Sequence, residues 1–279
     1  MGASARIREE AAFYVELRWV LEAMKQVAVS ELKRLERQPA SHEEVVAELR
    51  GCFQLLASAR IPSVLVSPTS TVAAAICFTS DTGFIGDLNV RVIREGMAAA
   101  GAGPLFVIGE QGRRVLMEQG KSATPYPRVT HLQTLEELRP LWESLTPRYL
   151  DGTIGRVRLV YPKYYSMGRQ EVVVEPLLPY EGPLVDLTQH PLQKFLLETP
   201  LAATERALAG WWIRAALTRA AWHARLSELA ARANHLEGAV DELARQSQVL
   251  TLQYFHVFHE EMDKAIREVY ASQQIGSRV

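Results

Sequence analysis

Apolar positions at the two ends of the chain recur with helical spacing, while those in the middle fall into short runs. From Ile7 to Leu35 there is no Gly or Pro. Phe13, Leu17, Val20, Met24, Val27 and Leu35 fall on one predicted helix face. Pro39 interrupts this helix, and "SHEE" at 41–44 reads as a capping box that starts another. The second helix is expected to run through Val45, Leu49, Phe53 and Leu56 and to stop before Ile61-Pro62. At the other end, Leu229, Leu236, Leu243, Leu250 and Val257 stand one heptad apart. Leu226, Ala233, Val240, Ser247 and Tyr254 fill the second seam position, so the pattern is that of a coiled coil. Gly238 costs about 1 kcal/mol against alanine and does not break the repeat. A helix from near Leu201 to near Ser272 would be roughly 100 Å long at 1.5 Å per residue. Its seam needs a mate, and the N-terminal helix is the long candidate, which predicts an antiparallel pair protruding from a smaller base.

Between residues 60 and 190 strand and helix signals alternate. Strands are expected over 71–78, 104–108, 153–161 and 171–177, and helices over 85–99, 111–119 and 135–145. "SATPYP" at 122–127 reads as loop. Alternation of this kind predicts an α/β domain, Rossmann-like, with a largely parallel sheet. The division expected is 1–60 for the N-terminal coiled-coil helix, 61–190 for the α/β domain and 191–279 for the long C-terminal helix.

Composition narrows the function classes. Hydrophobic residues are 48% and charged residues 23%, as in an ordinary globular chain. A net charge of -1 gives no basis for a nucleic-acid-binding face. Two cysteines, Cys52 and Cys77, are too few for a disulfide framework or a zinc site and fit a reduced, cytosolic compartment. The longest apolar runs are about eight residues, short of the ~20 that span a bilayer, and no signal peptide opens the chain. Membrane association is therefore expected through partners.

Three segments offer chemistry. "FTSDTGFIGDLN" at 78–89 follows a buried strand and precedes a helix, as a phosphate-binding turn would. A dinucleotide fingerprint needs G-x-G-x-x-G; here only Gly83 and Gly86 are present, and Asp87 stands where a phosphate would sit. The favoured reading is a structural turn, with glycines at positive φ and Asp81 or Asp87 capping the helix. Gly120-Lys121-Ser122 resembles the end of a phosphate loop, but Val115 replaces the required glycine. His256, His259 and Asp263 share one helix face without completing H-E-x-x-H, so a polar face is preferred to a metal site. Trp211-Trp212 reads as packing plus an amphipathic rim more readily than as a partner anchor. Lys33, Arg34 and Arg37 suit either an acidic partner or a solvated face.

Five stretches, in order, resemble the gamma subunit of F-type ATP synthases over the whole length. "EAMKQVAVSELKRLE" at 22–36 resembles K-A-M-x-M-V-A-A-x-K-L-R-R-A, with Ala23, Met24, Val27, Ala28 and Leu32 matching. Residues 78–89 resemble T-S-D-R-G-L-C-G-G-x-N through Thr79, Ser80, Asp81, Gly83, Gly86 and Asn89. "LVYPKYYSMGRQEVVVEPLLP" at 159–179 resembles Y-x-K-F…V-x-x-L-L-P. "SELAARANHLEGAVD" at 227–241 resembles S-E-x-A-A-R-x-x-A-M, and "LTLQY" at 250–254 resembles L-x-L-x-Y.

The resemblance implies a non-catalytic rotor shaft that binds no nucleotide and needs no cofactor. Its implied partners are the alpha, beta and epsilon subunits and the membrane c ring, on the cytoplasmic face of a bacterial inner membrane. It implies that Met24, Lys33 and Arg34 lie where the shaft meets an acidic lever of beta. Departures from the family fall on polar contacts. The Arg-Gln pair that would bond the catalytic subunits is Phe258-His259, the Thr and Glu that follow are Asp263 and Ala265, the expected Lys is Glu31, and the turn's Arg is Thr82. Such divergence suits the second F-type operon that some bacteria carry, pumping sodium or protons. Two other readings stay open at this point: an α/β enzyme dimerised by its end helices, and a gamma-like scaffold outside any ATPase.

Overall fold

The computed structural model describes residues 3–37, 41–58, 70–121, 124–126, 138–181 and 200–276. In chain order these form α1 (Ala3–Glu36), α2 (Ser41–Ser58), β1 (Ala73–Phe78), α3 (Leu88–Ala100), β2 (Leu105–Ile108), α4 (Glu110–Glu118), β3 (Thr124–Tyr126), α5 (Arg139–Leu150), β4 (Arg156–Ser166), β5 (Arg169–Leu178) and α6 (Leu201–Gly276). Contacts divide the chain into two units, one of residues 1–30 with 233–279, the other of residues 31–232.

The first unit is a helix pair. Ser4 Oγ donates to Glu261 Oε2 at 2.5 Å, and Lys25 Nζ meets Glu237 Oε1 at 3.5 Å. Low numbers pair with high ones, so the helices run antiparallel. On α6, Ala233 and Leu236 are fully buried, and Val240, Leu243, Ser247, Leu250, Tyr254 and Val257 are half-buried, which is the heptad register. The face of α1 corrects the sequence reading in part: Leu35 is buried and Leu17 half-buried as expected, but Phe13, Val20, Met24 and Val27 face outward. Ile7, Ala11, Tyr14, Leu21, Lys25 and Ala28 turn inward, whereas Phe13, Val20 and Val27 are 57%, 56% and 66% exposed and Met24 is also exposed. With half-buried Arg18 between Tyr14 and Leu21, the inward set alternates spacings of four and three, the coiled-coil period, but contains few large apolar side chains. Lys25 shows why a hydrophobicity pattern misses it. Its side chain is only 14% exposed, with the ammonium bonded to Glu22 at 2.9 Å as well as to Glu237. The aliphatic stem fills the seam while the charged head finds acids at its rim.

The second unit is a five-stranded sheet in the order β3-β2-β1-β4-β5. All neighbours are parallel except the β4–β5 hairpin. Alternate residues of β1 serve the two faces, as a twofold strand period requires. Ala74, Ile76 and Phe78 pack with Leu141 and Leu145 of α5 and with Trp212, Ile213, Ala216, Leu217 and Ala220 of α6. Ala75 and Cys77 pack with Val92 and Ile93 of α3 and Leu116 of α4. Burial pushes the Cys77 thiol up to about 12, so it is an inert core residue.

Several positions differ from expectation. Residues 124–126 are a strand rather than loop, because they continue the parallel ladder from β2. α3 starts at Leu88 rather than at 85, because Phe84 and Gly86 hold left-handed φ of 63° and 62°. On α2 it is Val46 that is buried, while Val45 is exposed. The expected helix over 135–145 is seen from Arg139 to Leu150, and its first residues lie outside the described ones.

Candidate functional site

In an open sheet, ligands settle beyond the carboxyl ends of the strands where the chain order reverses. Here that place is the loop 79–87, at the end of β1 between β2 and β4. Its polar groups are spent on the protein itself. Thr79 Oγ1 donates to the carbonyl of Ile108 at 2.6 Å and accepts from the Gly112 amide at 3.2 Å. The Ser80 amide donates to Asn89 Oδ1 at 3.0 Å, and Asn89 Nδ2 returns a bond to Ser80 Oγ at 2.9 Å. Asp81 Oδ1 accepts from the amide of Glu110 at 3.1 Å, the first residue of α4. The carboxylate therefore caps α4, not the helix that follows the loop, and Asp87 makes no side-chain cap bond. Gly86 takes positive φ as expected; in place of Gly83 it is Phe84 that does so.

Space decides against a nucleotide here. The cavity at the loop holds about 30 Å³ and is closed by Pro162 and by Ala221, Ala224, Arg225 and Glu228 of α6. Ligand pockets run to roughly 300–1,000 Å³.

What the loop does engage is a chain of charges. Arg225 bonds Glu31 Oε1 on α1 at 2.6 Å and Glu228 Oε2 at 3.1 Å. Arg232 bonds Glu228 Oε1 at 2.5 Å and reaches Thr82 Oγ1 and the carbonyl of Gly83. Burial works against the Arg225 charge, but Glu228 and Glu31 outweigh it and raise its pKa above the ordinary value. These contacts tie α1, α6 and the loop together. Glu31 and Thr82, two of the departures from the gamma pattern, both belong to this clasp. The residue that sequence reasoning missed is Arg225. Its signal was the i, i+3 and i+4 run Arg225, Glu228, Arg232, which places opposite charges on one helix face. Glu228 serves two guanidiniums and is 12% exposed at its side chain. Glu228→Gln should therefore cost about 1–3 kcal/mol, read as a lower denaturant midpoint at unchanged slope.

The residues singled out as partner contacts are all solvent-facing. Met24 and Phe258 are each 37% exposed, and Lys33, Arg34 and His259 are exposed. Lys33 and Arg34 have no ion pair among the described residues. Phe258 and His259 stand side by side, ring centroids 6.2 Å apart, and Phe258 stacks on Tyr254 at 5.7 Å. Among the described residues no group of three His, Cys, Asp or Glu could hold a metal ion; His256 pairs instead with Glu260 at 3.4 Å. Lys121 lies on Met97 Sδ at 3.2 Å, and Ser122 falls outside the described residues. The tryptophan pair splits: Trp212 is buried and donates to the carbonyl of Leu177 at 2.7 Å, while Trp211 faces solvent.

Comparison with known proteins places these features in context. The family described as ATP synthase matches residues 5–274. The ATP synthase gamma chain of Moorella thermoacetica is 28% identical over 267 residues, covering 90% of this chain and 91% of the relative. That of a Synechococcus strain is 27% identical over 304 residues, covering 95% and 96%. Among solved structures, a chain of the Euglena gracilis mitochondrial ATP synthase, in its OSCP/F1/c-ring assembly, superposes with a TM-score of 0.68 at 12% identity. That match covers 99% of this chain and 96% of the other, a likeness of fold.

Proposed function

This chain belongs to the ATP synthase gamma-chain family, and on that premise we propose how it works as the central-stalk subunit of a rotary ATP synthase. Ion flow turns the c ring, and the chain turns with it. The antiparallel helix pair lies inside the ring of alpha and beta subunits, and the α/β part, with epsilon, sits on the c ring. Residues 1–60 and 191–279 supply the helices of the shaft and residues 61–190 the base, with 41–58 and 201–232 also packed in the unit of the sheet. An asymmetric shaft touches each catalytic subunit differently at each angle, and differential contact is what shifts a population between open and closed states. The chain itself is non-catalytic. Met24, Lys33, Arg34, Phe258 and His259 act as steric and electrostatic contacts with the catalytic subunits. No helix among the described residues is long and apolar enough to cross a membrane. Membrane contact runs through the c ring, on the cytoplasmic face of a bacterial inner membrane.

The observation that carries this reading is the helix pair: segments from opposite ends of the chain zip antiparallel, in a sequence that matches the family across nearly its full length. The test is reconstitution. The purified chain should hydrolyse no ATP, and mixing it with alpha and beta chains from the same source should produce hydrolysis. Turnover by the chain alone would overturn the reading. Failure to co-purify with alpha or beta would favour a scaffold outside the ATPase.

A further inference from the structure

A second polar cluster, apart from the loop clasp, lies where α2 meets α6 and the sheet. His223 Nε2 is 2.9 Å from Glu43 Oε1 on α2. Arg219, one turn earlier on α6, reaches Glu43 Oε2 at 3.6 Å and bonds Glu175 of β5 more closely. Lys163 of β4 adds a looser contact to Glu175 at 3.9 Å. Tyr161 of β4 lies over His223, ring centroids 6.0 Å apart and planes 26° apart. The Arg219 side chain is 9% exposed and that of His223 14%, so both groups sit largely out of water.

The two carboxylates are not served equally. Glu175 holds the nearer end of Arg219 and has Lys163 in reserve. Glu43 gets only the far end of that guanidinium, so its close partner is the imidazole. We propose that His223 and Glu43 form a proton-sensitive clasp, in which protonation of the imidazole tightens α2 onto α6 and deprotonation loosens it.

Two features give the sign. A protonated ring turns the Nε2–H bond to Glu43 into a charge-assisted one, roughly twice as strong as the neutral bond. The face of Tyr161 favours a cation beside it. Against these stand the neighbouring Arg219 charge and His223 Nδ1, which is buried and without a hydrogen-bond partner among the described residues. Arg219 is held more closely by Glu175, so the carboxylate of Glu43 is left to the ring at 2.9 Å. Burial raises the Glu43 carboxyl, but His223 and Arg219 outweigh it and hold it below its ordinary value. Its own contribution is thus present above its unfolded pKa and fades only as pH falls through the lowered one, well under the range of an imidazole. Of the side-chain types in this cluster, imidazole alone has its ordinary range between about pH 5.5 and pH 8.

The test is amide hydrogen exchange on the full-length chain at about pH 5.5 and pH 8, corrected for the intrinsic rate at each pH. Amides of α2 should be about fivefold better protected at the lower pH, the effect of an ion pair worth ~1 kcal/mol. Those of α3, which packs on the other face of the sheet, should show no such ratio. His223→Gln keeps a donor that does not titrate, and Glu43→Gln keeps the shape without the charge. Both should abolish the ratio, and should the first fail to fold, the second, at a half-exposed position, carries the test. An unchanged ratio in Glu43→Gln, or better protection at pH 8 in the parent chain, would overturn the clasp.

Discussion

Gly155→Val should leave little or no soluble protein, and even Gly155→Ala should lose more than about 4 kcal/mol, the range reserved for a named steric or electrostatic fault. A Cβ at Gly155 would stand 1.7 Å from the carbonyl oxygen of Ser70 and 2.4 Å from its carbon. Both atoms belong to backbone, so no side chain can swing aside. The segment is also pinned, since the amides of Gly155 and Arg156 both donate to the carbonyl of Val72, at 2.9 and 3.0 Å. Relief would require pulling the entry of β1 away from β4, the centre of the sheet. The control is Gly238→Ala. A Cβ there meets nothing within 4 Å, and the position is mid-helix. It should gain about 1 kcal/mol. Thermal melts of the two variants beside the parent separate the cases; a soluble, parent-like Gly155→Val would show that the close approach is not maintained in solution.

Leu236→Ala should open the helix pair locally while leaving the α/β unit folded. Leu236 is fully buried in the seam of the first unit, and removing it costs about 2–5 kcal/mol, depending on how far the seam collapses around the gap. Few fully buried side chains share that load: among the described seam positions after it, all are half-buried. Amide protection should therefore fall in residues 11–30 and 233–257 and stay unchanged in β1, β2 and β4. Uniform loss in both units would mean that they unfold as one body. In the reconstituted complex, a frayed shaft should lower hydrolysis coupled to ion transport more than hydrolysis itself.

How much of this was legible beforehand depends on where the physics is local. The α6 seam could be read because leucines carry it. The sheet could be read because its strands are nearly continuous apolar runs, as buried parallel strands are. β3 could not, since Thr124-Pro125-Tyr126 has no strand pattern and is recruited by the free edge of β2. The inner face of α1 was read correctly at Leu17 and Leu35 but not at Phe13, Val20, Met24 and Val27, because small and amphipathic residues make most of it. In the loop, Gly86 was placed correctly, whereas the role of Asp81 depends on α4 lying beside it, a contact 29 residues away in sequence. The clasp could not be composed from sequence alone. Its charges are visible on α6, but Glu31 and Thr82 reach them only through the tertiary fold.

The outward greasiness of the first unit carries a price that falls on the cell rather than on the molecule. Phe13, Trp19, Val20, Val27, Leu252, Val269 and Tyr270 are each more than half exposed. On a solitary copy, such a surface invites other copies or proteases. A stockpile of spare shafts is thus a hazard, and production of this subunit has to be dosed against the supply of the sleeve that will sheathe it.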